Sequence, residues 1–365
     1  MNLLDPQTRA ARWATLLFAL VAAACGDDGT APEDRVVAGV DLDVLFAPPT
    51  QAEIDAVAND WAGRDPVASQ IQVVATGAVS ILGIIPHTVT VVSHDVGGVL
   101  HYGAFVVPDG ADPASLPIVV YLHGGDAGFA VNDVVTIAQF AADLAGNVVW
   151  VAPSFRAEAL RFDGQTFTSG GPPSPWDRDV DDALALLDVA LTTVPEIDPT
   201  RIGLLGLSRG AGVALLMAER EPSIDGVVEF FGPTDFFGEF VQDVTEEALL
   251  GTLRNLPGLE FLDGEFITPL RLGATTIPAV RGELVRRSAV LFADRLPDAQ
   301  VHHGEADMVV EVSQAESLIR TMSGLGRMAP EFEAFLYPNG GHNPLTMDGS
   351  IPRTQDFLVG LLGLP

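Results

Sequence analysis

Cysteine occurs once in the 365 residues, at position 25. That excludes an intramolecular disulfide and any metal site built on cysteine. Basic residues are also scarce, 19 against 49 acidic ones, for a formal charge of −30 at pH 7. Binding nucleic acid requires clustered Lys and Arg to neutralise phosphates, so this balance argues against a nucleic-acid partner and against steering of anionic substrates. Repeats at solenoid or propeller periods are missing, and nothing in the composition suggests disorder, collagen or a multispanning membrane protein. What is present is a chain that is 48% hydrophobic and long enough for one large core or two modest domains.

The single cysteine sits at an informative place. Arg9 and Arg12 precede an apolar run from Trp13 to Ala24, too short to cross a bilayer as a helix. A basic start, a short apolar stretch and small residues before a cut are what a secretory signal needs. Ala22-Ala23-Ala24-Cys25 resembles a bacterial lipoprotein signal, with Cys25 lipidated as the new N-terminus and Ala22 standing where leucine is usual. The polar stretch after it reads as a tether. The expectation is an exported protein held at a bacterial membrane by a lipid anchor, periplasmic or at the cell surface; an ordinary signal cut near Cys25 is the alternative.

Further along, Ala52 to Trp61 has helical spacing, and a strand-like pattern begins at Ile71. Thr88 to Val96 and Val99 to Val107 are β-rich runs joined by Gly97-Gly98, the signature of a tight hairpin. Short apolar runs then alternate with helical patterns. Strands are expected at Ile118–Leu122, Val148–Ala152, Arg201–Leu207, Val227–Phe231, Gln300–His303 and Glu333–Tyr337. Helices are expected at Val131–Leu144, through Val180 to Leu191, and at Ala211–Glu219, Glu311–Met322 and Thr354–Leu362. Uniformly apolar strands alternating with helices imply a mostly parallel sheet covered on both faces, an α/β fold. Residues from about Phe236 to Arg295 break the rhythm, lean helical and carry Pro257, Pro269 and Pro278, as a cap inserted over the strand ends would.

The chemistry centres on Gly206-Leu207-Ser208-Arg209-Gly210, set between a strand and a helix. A nucleophile there must sit on a strained turn so that its hydroxyl projects from the sheet edge, and side chains two residues either side would collide. The helix after Ser208 points its amides at the site, which favours a developing oxyanion. A serine nucleophile needs a base. Of seven histidines, His87, His94 and His101 lie in the early strands, His123 supports a loop, and His302 and His303 end a late strand. His342 remains, in the glycine-rich loop Tyr337-Pro-Asn-Gly-Gly-His342 after the last strand. The imidazole needs a carboxylate, expected between the serine and the histidine in chain order. Asp307, just past a strand end, is preferred over Glu305, on the turn itself, and over Asp298, which precedes the strand. For the oxyanion, one amide comes from Arg209 and a second from the loop His123-Gly124-Gly125-Asp126, where Gly125 and Asp126 are both open. Asp177-Arg-Asp179-Val-Asp181 looks like the start of a calcium loop, but position six is Asp182, not glycine, and apolar helical spacing runs through it. Neither a metal nor a cofactor is expected. The phenylalanines at 230, 231, 236, 237 and 240 flank a strand end near the expected acyl pocket, with core packing the default.

These stretches, with Tyr121-Leu-His-Gly-Gly, Pro153-Ser-Phe-Arg156 and Asp198-Pro-Thr-Arg-Ile-Gly, resemble the prolyl-oligopeptidase and dienelactone-hydrolase branch of the α/β-hydrolase superfamily from about residue 88 onward. The expected layout is a signal over 1–24, a tether over 25–40, an N-terminal extension over 41–87 and a hydrolase domain over 88–365 with the cap at about 236–295, and the resemblance implies an α/β-hydrolase fold for that domain. It implies a Ser208–His342–Asp307 triad acting on a small-molecule ester or peptide. Peptidases of this kind carry a large β-propeller, and about 60 residues between Cys25 and the hairpin cannot hold four blades of about 40 to 45 residues. A carboxylic-ester hydrolase is therefore expected first, a propeller-less serine exopeptidase second, and a non-catalytic lipid-anchored binding protein third.

Overall fold

The computed structural model describes residues 35–64 and 66–365. The expected signal, Cys25 and most of the tether lie outside the described residues. Among the described residues, no helix is long and apolar enough to cross a membrane.

Strands β1 (Val36–Val37) and β2 (Val40–Asp41) form a small antiparallel ribbon, followed by helices α1 (Leu42–Leu45) and α2 (Gln51–Ala62). α2 starts at a reciprocal cap: Thr50 Oγ1 accepts the Glu53 N–H at 3.3 Å, and the Glu53 carboxylate accepts the Thr50 N–H at 2.8 Å. Residues 35–40, expected in the tether, are folded instead. Val40 is buried, and Arg35 pairs with Glu246 at 2.6 Å.

Three long strands, β3 (Ala68–Ile81), β4 (Ile85–Val96) and β5 (Val99–Pro108), make an antiparallel meander. Gly97 and Gly98 close the β4–β5 turn at φ +61° and +86°, the left-handed pair that a two-residue hairpin demands. The boundary expected at residue 88 falls inside β4. β3, assigned from sequence to an extension, is the edge strand of the main sheet. Most of its residues face solvent, so it lacks the apolar run that marks the interior strands.

The chain then alternates: β6 (Leu116–Leu122), short β7 (Phe129–Ala130), α3 (Val131–Phe140), β8 (Val149–Pro153), the ribbon β9 (Ala159–Phe162) and β10 (Gln165–Thr168), α4 (Arg178–Thr193), β11 (Ile197–Leu207), α5 (Arg209–Arg220) and β12 (Gly226–Phe230). No strand follows until β13; the helices between are α6 (Glu239–Leu250), α7 (Leu259–Leu262), a π-helical turn at Asp263–Ile267, α8 (Thr268–Arg271) and α9 (Ile277–Arg287). The chain ends β13 (Asp298–Gly304), α10 (Ser313–Gly324), β14 (Phe332–Tyr337) and α11 (Ser350–Leu361). α3 stops four residues before the expected Leu144. The turns after it still bury Leu144 and Ala145, so the apolar spacing outlasts the helix.

The nine-stranded sheet has the order β14-β13-β12-β11-β6-β8-β5-β4-β3, and its first six members are parallel. Alternation along β6 shows why its run is apolar throughout. Ile118, Val120 and Leu122 join the core under α4, α5 and α10, while Val119 and Tyr121 join a second core under α3 and α11. Because the six strands are parallel, the loops after β6, β11, β12, β13 and β14 all open on one edge. There the structure gathers His123, Ser208, Phe231, Asp307 and His342. α9 faces elsewhere. Arg281 donates to Glu53 Oε1 at 2.7 Å and to the Leu45 carbonyl at 2.9 Å, and Trp61 packs on Phe292 with centroids 4.5 Å apart.

Candidate active site

Ser208 follows β11 directly at φ +55° and ψ −120°, a conformation an L-residue adopts only under strain. The two flanking glycines are steric necessities. A Cβ on Gly206 would lie 2.4 Å from the Gly210 carbonyl oxygen, and one on Gly210 would lie 2.0 Å from that of Leu122. The turn is tied to the neighbouring strand by the Ser208 N–H, which donates to the Phe230 carbonyl at 2.9 Å.

His342 Nε2 accepts from the Ser208 hydroxyl at 2.9 Å, and its Nδ1–H donates to Asp307 Oδ2 at 2.7 Å. Asp307 is buried, and its other oxygen accepts the N–H groups of Val309 and Val310 at 2.8 and 3.1 Å. Burial works to raise this carboxyl, but the His342 hydrogen bond and those two amides outweigh it and hold it below the usual range. The Phe231 ring backs the imidazole with centroids 4.2 Å apart. Glu305 is exposed on the turn, and Asp298 lies at the opposite end of β13, paired in register with Gly226. Neither reaches His342. The two loops are fastened to each other, since the N–H groups of Glu305 and Ala306 donate to the carbonyls of Tyr337 and Gly340 at 2.8 and 2.9 Å.

The other histidines are held elsewhere. His302 is buried between the Tyr337 hydroxyl and Gln300 Oε1, each at 2.8 Å, and burial lowers it to about 3. His303 donates to the Val310 carbonyl at 2.9 Å and so braces the Asp307 loop. His123 is buried and lowered to about 3 by burial; its ring contacts the Gly124 carbonyl at 3.1 Å, the loop support expected of it. Glu229, in β12, is fully buried and accepts the Gly232 N–H at 2.9 Å; burial pushes its carboxyl up to about 8.

On the far side of Ser208, the N–H groups of Arg209, Gly125 and Asp126 donate to no protein acceptor among the described residues. Gly125 and Asp126 both line the cavity, so the choice between them stays open.

The acidic run at 177–182 takes arginine partners rather than merely decorating a helix start. Asp177 meets Arg64 at 2.6 Å, Asp182 meets Arg156 at 2.7 and 2.9 Å, and Asp179 meets Arg209 at 2.9 and 2.7 Å. Every one of the 19 basic residues is arginine, whose planar fork suits such two-point pairing. No group of three or more ligating side chains fit for a metal occurs among the described residues.

A cavity of about 450 Å³ opens beside Ser208. Phe236, Phe240, Val241, Leu259, Leu262 and Trp176 give it a largely apolar wall, while Asp126, Glu260 and Glu265 are exposed around it. Of the phenylalanines noted in the sequence, only Phe236 and Phe240 line it; Phe230 stacks on His302 and Phe237 packs on Phe46. Sequence reasoning missed Trp176, whose indole N–H donates to the Arg209 carbonyl at 3.1 Å, and Glu158.

No protein-family model matches the chain, and no curated protein matches it. Solved structures do. The chain is similar to acetyl xylan esterase 1 from Thermoanaerobacterium sp. at 20% identity and TM-score 0.60, over 86% of this chain and 95% of that one. It is similar to an acetyl xylan esterase from Paenibacillus sp. at 18% identity and TM-score 0.54, over 86% and 98%. With an S-formylglutathione hydrolase from Agrobacterium tumefaciens it shares 15% identity and TM-score 0.51, over 80% and 100%. The shared architecture is the α/β-hydrolase fold, and this chain has it.

Proposed function

We propose that the protein is a serine hydrolase of carboxylic esters. The observation that carries this reading is the unbroken line from Ser208 Oγ to His342 Nε2 and from His342 Nδ1 to Asp307, seated on a strained turn at a helix N-terminus. Ser208 Oγ attacks the ester carbonyl carbon while its proton passes to His342 Nε2. The oxyanion forms against the Arg209 amide and that of Gly125 or Asp126. Collapse expels the alcohol, which takes the proton from His342 and leaves an acyl-Ser208. Water then attacks the acyl carbon, giving its proton to His342, and the acid departs as Ser208 recovers its hydrogen. Asp307 stays ionised throughout and fixes the imidazole tautomer.

The apolar wall favours an uncharged acyl group, at roughly 25 cal/mol per Å² of apolar surface buried. Two of the proteins it resembles are named as esterases, which supports ester over peptide cleavage. On purified protein, p-nitrophenyl esters of short uncharged acids should show kcat/KM well above that of aminoacyl anilides; anilides as the better substrates would replace this reading with an exopeptidase.

We also infer export with lipidation at Cys25, supported by the basic start, the short apolar run and the solitary cysteine. Cys25→Ser should move the protein from the membrane fraction to a soluble or unprocessed form. Wild-type protein washed freely from membranes by buffer would refute the anchor.

A further inference from the structure

We propose that the Arg209 side chain and Glu158 form a clamp that fixes the geometry of the oxyanion hole, making both of them positioning residues for the reaction. The inference rests on the ester-hydrolase reading above.

The two halves of the hole are built differently. The Arg209 amide is the first of α5, so the helix holds its direction. The other donor belongs to residues 124–128, a glycine-rich loop with no backbone–backbone hydrogen bond outside the sheet ladders. Gly125 and Gly128 have φ of +78° and +76°. Nothing in the backbone of such a loop holds an amide to within the few tenths of an ångström that transition-state stabilisation requires.

Side chains hold it instead. Arg209 Nη1 donates to the Gly125 carbonyl at 3.4 Å and to Glu158 Oε1. The other Glu158 oxygen accepts the Gly128 N–H at 3.0 Å. His123 Nδ1 meets the Gly124 carbonyl at 3.1 Å, and the exposed Arg161 donates to the Ala127 carbonyl at 2.8 Å. These ties take up three carbonyls and the Gly128 N–H, and leave the Gly125 and Asp126 amides for a ligand. Arg209 is the link that matters most, because its backbone belongs to one half of the hole and its side chain reaches the other. Its guanidinium is anchored on Asp179 and lies over the Phe155 ring, 5.0 Å from the centroid.

Burial strengthens the case. Arg209 and Glu158 are only 7% and 5% exposed. Taking such charges out of water costs more than an apolar pair of the same volume, so they are a poor choice for stability alone. A carboxylate at 158 has two acceptor oxygens facing two donors, Arg209 on one side and the Gly128 amide on the other. An amide side chain would present N–H to one of them and break that tie.

Glu158→Gln is therefore the test, because it keeps the shape and cuts the clamp. Two readouts are compared with wild type: kinetics on a p-nitrophenyl ester, and hydrogen–deuterium exchange of the 124–128 amides. The expected result is a fall in kcat of about 10- to 100-fold with KM changed less than about threefold, since the oxyanion exists only after attack. Exchange should rise at the Gly128 amide, which loses its Glu158 acceptor, and stay unchanged elsewhere. Arg209→Met, which retains the backbone amide, should fall at least as far in kcat. The clamp is overturned if exchange in the loop does not change, if exchange rises throughout the fold, or if Glu158→Gln keeps kcat within about twofold. A wild-type protein inert toward every ester would remove the functional reading, whereas the exchange measurement still decides the clamp.

Discussion

Ser208→Ala should lower kcat on any hydrolysed ester by about 10⁴- to 10⁶-fold while leaving the melting temperature within about 2 °C of wild type. The size follows from the division of labour at the site. Without the hydroxyl, His342 and Asp307 have nothing to activate except water at a distance, and only the oxyanion amides and the cavity continue to contribute. The small structural effect follows from what is deleted. Ser208 is half-buried, and the one hydrogen bond its hydroxyl makes among the described residues is with His342 Nε2. The turn is held by the Ser208 N–H to the Phe230 carbonyl and by the close approach of Gly210 to Leu122, and an alanine leaves both in place. Purified variant and wild type compared by initial rates and by thermal unfolding would check both halves. A variant keeping more than about a hundredth of the wild-type rate would mean another nucleophile.

Asp307→Asn should be nearly as damaging, about 10⁴-fold in kcat, through a different cause. Its Oδ1 could still accept the Val309 and Val310 amides, so the loop survives. The amide nitrogen would then face His342 Nδ1 where Oδ2 now accepts a proton. Two donors cannot share that contact. The imidazole would shift to the tautomer with its proton on Nε2, which cannot accept from Ser208. Glu305→Gln, on an exposed residue two positions earlier, should keep kcat within about twofold. Steady-state kinetics on the pair separates the two carboxylates. Equal losses in both variants would show that the loop rather than the Asp307 charge matters.

The parts of this molecule that could be read from sequence are those imposed by local geometry or by burial on both faces. Gly206 and Gly210 were legible because nothing larger fits against the Gly210 and Leu122 carbonyls. The interior strands were legible because both faces of residues such as Ile118 and Val119 need apolar cover. His342 and Asp307 followed from chain order, since in a parallel sheet loops after successive strands meet at one edge. β3 was misassigned because an edge strand with most side chains in solvent carries no apolar signature. α3 was overextended because buried turn residues continued its spacing. The partners of Asp177, Asp179 and Asp182 were invisible for a simpler reason: Arg64, Arg209 and Arg156 lie 113, 30 and 26 residues away, and no local rule links such distances. Glu158 belongs to the same set, paired across 51 residues with the side chain that follows the candidate nucleophile.

The most direct test of the central claim is to find where a fluorophosphonate probe attaches. Active protein treated with the probe, digested and mapped by mass spectrometry should carry a single adduct, on Ser208, and the Ser208→Ala protein should carry none. An adduct on another serine, or wild-type protein that hydrolyses esters without being labelled, would contradict the account.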